Sequence, residues 1–292
     1  MAKPAAYRRH FLLPSLLLLT ACTLDIARTP PDTAEAESST WAIRFQRQSS
    51  LLTNTLVEID ETELQAGDLL FSSSVGIASL GIRAFSASSV SHVAVYLGDE
   101  EVAEATGAGV QIVSLRQAMQ HSDKLFALRV PDLTSQQAAE IKAFAYRITN
   151  SRYNFRGIVK FIPFMLTKQI CSLNPFSANF RQQCIHGLAQ AQLSKREGDE
   201  KRVWFCSEFV TDAFAKAGRP LTLAEPGWIA PSDLLHMREG DVAAFKPEAR
   251  LRYVGHLKPG IYINARRLVG LTQQGQPESA RSPGRISGGP GS

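Results

Sequence analysis

Short apolar runs separated by Gly, Pro and Asp dominate the first half of the chain from residue 51 onward. Such runs, bounded by turn residues, are typical of short buried strands. The pattern predicts strands at 69–71, 90–97, 102–106, 110–113 and 125–130. Two other segments, 75–85 and 134–149, repeat apolar residues at helical spacing. We therefore expect an α+β fold in which a meander of short strands is flanked by helices.

The middle of the chain has a different pattern. Residues 157–170 are mostly apolar around Pro163, a polar stretch follows, and a charged run covers 195–202. The strand and helix patterns resume after this run. We interpret residues 51–260 as one folded domain that carries an insertion at about 155–203.

The N-terminus has the order of an export signal. A start with three basic side chains precedes an apolar run at 11–19, which is shorter than the ~20 residues of a bilayer span. Residues 19–22, Leu-Thr-Ala-Cys, resemble the lipobox of bacterial lipoproteins, in which the chain is cut before a cysteine that receives a diacylglycerol. We expect residues 1–21 to be a lipoprotein signal peptide and Cys22 to carry acyl chains such as palmitate. An ordinary signal peptide with a chance cysteine is the alternative.

The segments before and after the folded domain indicate where in the cell the protein lies. Residues 22–50 are rich in Thr, Ser, Pro, Ala and Glu, which is the composition of a tether, and we expect residues 261–292 to be a mostly disordered tail. In enterobacterial lipoproteins an Asp after the lipidated cysteine retains the protein in the inner membrane. Thr23 occupies that position here. By resemblance to this rule we expect the periplasmic face of the outer membrane of a Gram-negative bacterium.

Composition and charge exclude several classes of protein. The chain has 292 residues, 44% of them hydrophobic and 20% charged, so it can bury a core without a disulfide scaffold or a metal. Its formal charge of +5 falls by three, to +2, when the basic residues of the signal are removed. This bias is too small to predict nucleic acid as a partner. Outside the signal, no stretch reaches about 18 uncharged apolar residues, so we expect the rest of the chain to be soluble.

The four cysteines have different predicted fates. Cys22 is assigned to lipid. Cys171 and Cys184 lie 13 positions apart in an exported chain and can form a disulfide, although two buried free thiols are an open alternative. Cys206 is then unpaired in an oxidising compartment, which requires an explanation.

Cys206 precedes a predicted helix at 207–216, where apolar residues recur at helical spacing. Unpaired N–H groups and the helix dipole stabilise a thiolate at a helix N-terminus, and the same N–H groups can hold an oxyanion. Cys206 is therefore a candidate nucleophile. A buried, inert cysteine is the alternative.

A cysteine nucleophile needs a base, and His92 is the candidate. It lies in the strand predicted at 90–97, on the same face as the small Ala94. Glu104, in the next predicted strand, is the candidate for orienting the imidazole. The two side chains share a face only if the loop between the strands has an odd number of residues, a parity that the sequence leaves open. A core or surface histidine and a solvated edge glutamate are the alternatives.

Four motifs, in order, resemble the permuted papain-like YaeF/YiiX family of the NlpC superfamily. They are Ala-Gly-Asp-Leu-Leu-Phe at 66–71, Ser-His-Val-Ala-Val-Tyr-Leu-Gly at 91–98, Ala-Glu-Ala at 103–105 and Phe-Cys-Ser-Glu-Phe-Val at 205–210. The order His, acidic residue, Cys is that of the permuted group, whereas ordinary papain-like enzymes place Cys first. The lipobox also suits the YaeF branch, which is a lipoprotein. The resemblance implies an NlpC-type α+β fold, with an antiparallel β-barrel-like sheet packed on helices and the nucleophile at a helix N-terminus.

The resemblance also implies a function, that of a cysteine amidase or peptidase of the cell envelope. Cys206 would be the nucleophile that forms a thioacyl intermediate, His92 the base and acid, and Glu104 the residue that orients His92. The expected substrate is a peptidoglycan stem peptide or a related peptide, with no cofactor and no metal. Tyr153-Asn154 resembles a family Tyr-Asp/Asn pair near the cleft, but an uncharged Asn has no acid or base role.

Three alternatives remain open. The same triad could transfer acyl groups on a lipid, as a lipid acyltransferase or thioesterase does. The chain could be a lipid-anchored binding module with an inactive site. Cys171, Cys184 and His186 could bind a metal, although their spacing matches no recognised zinc motif.

Overall fold

The computed structural model describes residues 24–29, 40–45, 57–73, 90–172, 178–193, 203–239, 241 and 243–260. Four predicted features lie outside these residues: the signal peptide, the lipidated Cys22, the helix at 75–85 and the tail at 261–292. In the part that is described, no helix is long and apolar enough to cross a membrane.

The described elements alternate between strands and helices along the chain. The strands are β1 Leu24–Thr29, β2 Thr40–Phe45, β3 Leu69–Ser73, β4 His92–Gly98, β5 Glu101–Thr106, β6 Gly109–Ser114, β7 Lys124–Arg129, β8 Arg152–Tyr153, β9 Val203–Trp204 and β10 Arg252–Lys258. The α-helices are α1 Leu115–Gln120, α2 Ser135–Ile148, α3 Phe155–Ser172, α4 Ala178–Gln192, α5 Cys206–Lys216 and α6 Pro231–Leu235. Short 3-10 helices cover Glu61–Glu63 and Pro226–Trp228.

A six-stranded antiparallel sheet forms the centre of the fold, with the strand order β10-β7-β3-β4-β5-β6. The five strands predicted from the apolar runs correspond to β3 to β7. β10 was not predicted, and it extends the sheet beyond β7. The mixed architecture of sheet and helices is confirmed. The predicted barrel-like closure is not confirmed, since β10 and β6 are the outer strands of this order.

Alternate side chains of the sheet enter two cores. Phe71, Val93 and Val95 point into the larger core, which they share with apolar residues of α2 and α5. Leu70 and Ala94 point the other way, into a smaller core beside α1. A strand packed on both faces is apolar along its whole length, which explains why β3 and β4 read as continuous apolar runs.

The sequence defines helix α2 both by the cap at its N-terminus and by the spacing of its buried residues. Thr134 is its N-cap and accepts a hydrogen bond from the backbone N–H of Gln137 at 3.2 Å. The side chain of Gln137 in turn accepts from the N–H of Thr134 at 3.1 Å, which completes a capping box. One face of the helix is buried against the larger core, as the spacing predicted, at Ile141, Phe144, Ala145 and Ile148.

The predicted insertion contains two helices, α3 and α4, which contact each other. A disulfide joins Cys171 of α3 to Cys184 of α4, with their Cα atoms 5.7 Å apart. The Lys168 ammonium of α3 lies 2.8 Å from both carboxylate oxygens of Asp233, and both side chains are buried. Asp233 also accepts from the N–H of Ala230 at 2.9 Å, at the start of α6. This ion pair connects the insertion to α6.

The segment predicted as a tether contains an element that its composition did not predict. Strands β1 and β2, within residues 22–50, pair as an antiparallel two-stranded sheet. Among the described elements, this sheet is separate from the six-stranded one. The Thr and Ile residues of these strands favour extended backbone.

Candidate active site

Cys206 is the first residue of α5, and Phe205 is its N-cap. The backbone N–H of Phe205 donates to the Glu208 carboxylate at 3.4 Å, and the Ser207 hydroxyl donates to the carbonyl of Ile229 at 2.6 Å. These contacts fix the first turn of the helix against its surroundings. The Cys206 side chain is buried, and Cys206 is the free cysteine among those described. The N–H groups of the first turn of an α-helix have no partner within the helix, so they are available to a ligand at this end.

His92 is the first residue of β4, and Glu104 lies on the neighbouring strand β5. The imidazole Nε2 of His92 lies 3.0 Å from the Glu104 carboxylate. A second hydrogen bond joins His92 to the side chain of Cys206. The structure thus brings together the three residues that the sequence singled out.

The hairpin register explains why His92 and Glu104 share a face. Gly98 pairs with Glu101, which leaves a two-residue loop of Asp99 and Glu100. A two-residue loop alone would put Glu104 opposite Val95, on the wrong face. A bulge between Tyr96 and Gly98 shifts the register by one residue, so that Val95 pairs with Ala103. Glu104 therefore lies on the face of Ala94 and His92.

The surroundings of His92 and Glu104 shift the pKa values of both side chains. Burial alone lowers the pKa of His92, but hydrogen bonds with Cys206 and Glu104, together with their negative charges, outweigh burial and raise this pKa to about 10. Burial raises the pKa of Glu104, but the hydrogen bond and charge of His92, with help from Gln111, more than offset burial and lower it. The arrangement favours the protonated, imidazolium form of His92 beside the Glu104 carboxylate.

Gln111 is a site residue that the sequence reasoning missed. Its amide donates to Glu104 Oε1 at 2.8 Å, so the two carboxylate oxygens of Glu104 contact different partners. Gln111 lies directly opposite Glu104 in the β5–β6 pairing. A polar residue in the predicted strand 110–113 was the available signal, but using it required the register of the β5–β6 hairpin.

Tyr153 and Asn154 connect the insertion to the site. Burial, and the charge of Cys206, raise the pKa of Tyr153 well above its usual range, so its hydroxyl stays protonated. Asn154 accepts from the N–H of Gly157 at 2.8 Å, at the start of α3, and its amide donates to Glu208 at 3.4 Å. Asn154 thus joins the first turns of α3 and α5, which is a structural role.

A cavity of about 440 Å³ lies beside His92 and Glu104. Cys206 is not among its lining residues, so the cavity adjoins the triad on the side of His92. Its lining combines polar and apolar side chains, which include Ser72, Ser91, Gln111, His121, Leu70, Val102, Leu125 and Tyr153. Such a mixed surface can bind a substrate that has polar and apolar groups.

The structure argues against a metal site at Cys171, Cys184 and His186. The disulfide occupies both sulfurs, so they cannot act as thiolate ligands. His186 is exposed, and its ring packs against the Trp228 indole in a T-shaped arrangement, with 5.4 Å between the ring centroids. Within the described ranges, no group of three or more His, Cys, Asp or Glu side chains is arranged to hold a metal ion.

Comparison with known proteins identifies the family of this chain. The model of a family described as permuted papain-like amidase enzyme, YaeF/YiiX, C92 family, matches residues 63–172. The probable lipoprotein peptidase YaeF of Escherichia coli (strain K12) is 66% identical over 275 residues, which is 94% of this chain and 100% of that protein. The chain belongs to the YaeF/YiiX family.

The match to the YaeF/YiiX family model includes His92, Glu104 and Gln111 but ends before Cys206. A solved structure of yiiX from Escherichia coli O157:H7, described as a metalloprotein, is 19% identical and covers 68% of this chain and 99% of its own, with a TM-score of 0.39. Because the chain belongs to the YaeF/YiiX family, it is a peptidase or amidase, as the resemblance of its sequence motifs implied.

Proposed function

We propose that this protein is a cysteine hydrolase that cleaves an amide bond in the cell envelope. The observation that carries the proposal is the contact of one imidazole, His92, with both Cys206 and Glu104. The raised pKa of His92 provides a protonated acid beside a sulfur at a helix N-terminus. Both the cationic imidazole and the helix dipole stabilise the negative charge of a thiolate.

The proposed reaction has two halves. The Cys206 thiolate adds to the amide carbonyl carbon, and the backbone N–H of Cys206 stabilises the oxyanion that forms. The oxyanion collapses, the C–N bond breaks, and the His92 imidazolium donates its proton to the leaving amine. This leaves a thioester on Cys206 and a neutral His92.

Water completes the cycle. Neutral His92 takes a proton from a water molecule as the water oxygen adds to the thioester carbonyl. The C–S bond then breaks, a carboxylic acid leaves and loses its proton to solvent, and the thiolate–imidazolium pair is restored. Glu104 holds the imidazole in one orientation throughout and stabilises its positive charge.

The proposed substrate is a peptidoglycan stem peptide or a related envelope peptide, reached from a lipid anchor on Cys22. The lipobox at 19–22 and the name of the 66% identical relative, a probable lipoprotein peptidase, both support the anchor. Thr23 supports the outer membrane as its location. Membrane fractionation of a Cys22→Ser variant tests the anchor, and we expect this variant to be released from membranes, because without the thiol no diacylglycerol can attach.

The decisive experiment incubates the mature protein with peptidoglycan fragments and, separately, with phospholipids, and identifies products and any acyl-enzyme by mass spectrometry. We expect wild-type protein to release an amine from peptide substrates, and we expect Cys206→Ala and His92→Ala to abolish turnover without unfolding the chain. His186→Ala, an exposed histidine outside the triad, is the matched control and should retain full activity. Wild-type turnover by Cys206→Ala would overturn the proposal, and acyl transfer on lipid alone would replace the amidase with an acyltransferase.

A further inference from the structure

Helix α3 carries a row of exposed apolar side chains, which we name the α3 stripe. The exposed fractions of Phe155, Val159, Leu166 and Ile170 are 60%, 66%, 51% and 68%. At 3.6 residues per turn these four side chains fall within about 60° of the helix circumference. Exposed apolar side chains that share one face of a helix mark an interaction surface, whereas scattered ones do not.

The charged side chains of helix α3 itself are all basic. Arg156 and Lys160 are exposed, and they lie next to the stripe on one side of the helix. The run of residues 154–196 contains no Asp or Glu. An apolar face flanked by basic side chains is the pattern of a helix that lies in the interface of a membrane with anionic lipids.

The stripe begins beside the cavity. The ring of Phe155 lies 4.9 Å from the ring of Tyr153, measured between centroids. A Cβ atom at Gly107 would come within 3.5 Å of the Phe155 ring. Tyr153 and Gly107 both line the cavity next to His92 and Glu104. A surface that contacts the α3 stripe therefore also lies close to the cavity.

We propose that the α3 stripe docks on an anionic phospholipid surface and thereby holds the cavity at the lipid–water interface. The inference goes beyond the proposed function. The lipid anchor on Cys22 would keep the domain near a membrane, but only the stripe would orient it. The consequence for the substrate class is that scissile bonds close to the bilayer surface, as in peptides attached to lipids, reach the cavity most readily.

The test measures how the protein is oriented on the membrane, and it does not depend on catalytic turnover. Mature lipidated protein is reconstituted in vesicles of phosphatidylethanolamine and brominated phosphatidylglycerol, and the bromine atoms quench nearby tryptophan. Ile170→Trp adds a tryptophan to the stripe, and Ala139→Trp adds one to an exposed position of α2. Both variants share the same anchor, so only docking distinguishes them. We expect strong quenching of the added tryptophan in Ile170→Trp and little in Ala139→Trp.

Further variants separate the two contributions to docking. Adding Val159→Glu to Ile170→Trp should remove the quenching, since a carboxylate would enter the apolar layer. Adding Arg156→Gln or Lys160→Gln should lower the ratio of docked to undocked protein about fivefold each, because one basic residue near an anionic surface contributes roughly that factor. High salt should have a similar effect.

Equal quenching of Ile170→Trp and Ala139→Trp would overturn the proposal, because it would leave only the anchor. A dimer in detergent that Val159→Glu dissociates would also overturn it, since the stripe would then be an interface between two copies. Because quenching is measured on a Cys206→Ala background as well, failure of the proposed hydrolysis would not affect this result.

Discussion

The His92 imidazole has to be both a proton donor and a proton acceptor in the proposed reaction. Its pKa is raised to about 10, because hydrogen bonds with Cys206 and Glu104 outweigh the effect of burial. The protonated form is therefore the resting form at neutral pH. His92 retains 23% of its side-chain exposure, so it can exchange protons with a substrate or with water.

This pKa predicts an alkaline limit to activity. We expect kcat/KM to fall as the pH rises through about 10, where His92 loses its proton, and not near the usual histidine pKa of about 6.5. Protonated His92 stabilises the fold fully below about pH 6.5, and this contribution is lost as the pH rises through about 10. Glu104→Gln removes a negative neighbour, so the alkaline limit should move to lower pH. Rate profiles of both proteins measure the shift, and an unchanged limit in Glu104→Gln would show that Glu104 does not act through His92.

Gln111 limits the freedom of the Glu104 carboxylate, because its amide donates to the oxygen that His92 leaves free. We expect Gln111→Met, which keeps the size and removes the donor, to lower kcat about tenfold with little change in KM, since a hydrogen bond to a charged group contributes that much. Steady-state kinetics separate the two parameters. Gln120→Met, at the exposed end of α1, is the control. A change in KM alone would indicate that Gln111 binds substrate and does not position Glu104.

The β4–β5 hairpin shows why the strands were predictable and the site only partly so. Apolar runs place β4 and β5 and make His92 and Glu104 candidates, but the shared face depends on the bulge between Tyr96 and Gly98. A bulge comes from one extra residue in one strand, and no residue pattern marks it here. Gln111 was missed for the same reason, because a cross-strand partner is defined by register.

The turn of this hairpin is strained and can be improved without touching the site. Asp99 and Glu100 have φ angles of 52° and 60°, which Asn and Gly adopt more readily. We expect Asp99→Asn with Glu100→Gly to stabilise the protein by about 1 kcal/mol, which raises the Tm by about 2–4 °C for a domain of this size. Thermal unfolding measures the gain, and activity should be unchanged. Loss of activity would show that the turn also influences the position of Glu104.

The insertion is the part of the fold that was predicted least well from the sequence. No element was predicted for the apolar run at 157–170, and Pro163 within this run lacks the N–H that a helix interior uses. Helix α3 nevertheless continues past it, and the Thr167 hydroxyl donates to the Pro163 carbonyl at 3.0 Å. Pro163 lies on the exposed side of α3, whereas Phe161 and Phe164 are buried. Tertiary packing of these two rings therefore outweighs the local preference.

The disulfide joins the two helices of the insertion to each other, and the Lys168–Asp233 pair joins the insertion to α6. Cys171 and Cys184 close a loop with a sequence separation of 13, for which the chain-entropy model gives a stabilisation of about 3 kcal/mol. We expect the double variant Cys171→Ser/Cys184→Ser to lower the Tm by about 6–12 °C. Changing both residues avoids a leftover thiol that could pair with Cys206.

Activity should fall less than stability in this variant. Asn154 still joins the start of α3 to Glu208 when the far end of α3 is released. Non-reducing peptide mapping of protein exported to the periplasm checks the bridge directly. Alkylatable thiols at both 171 and 184 in that material would contradict the disulfide. An unchanged Tm would mean that the Lys168–Asp233 pair and the buried rings of α3 hold the insertion without it.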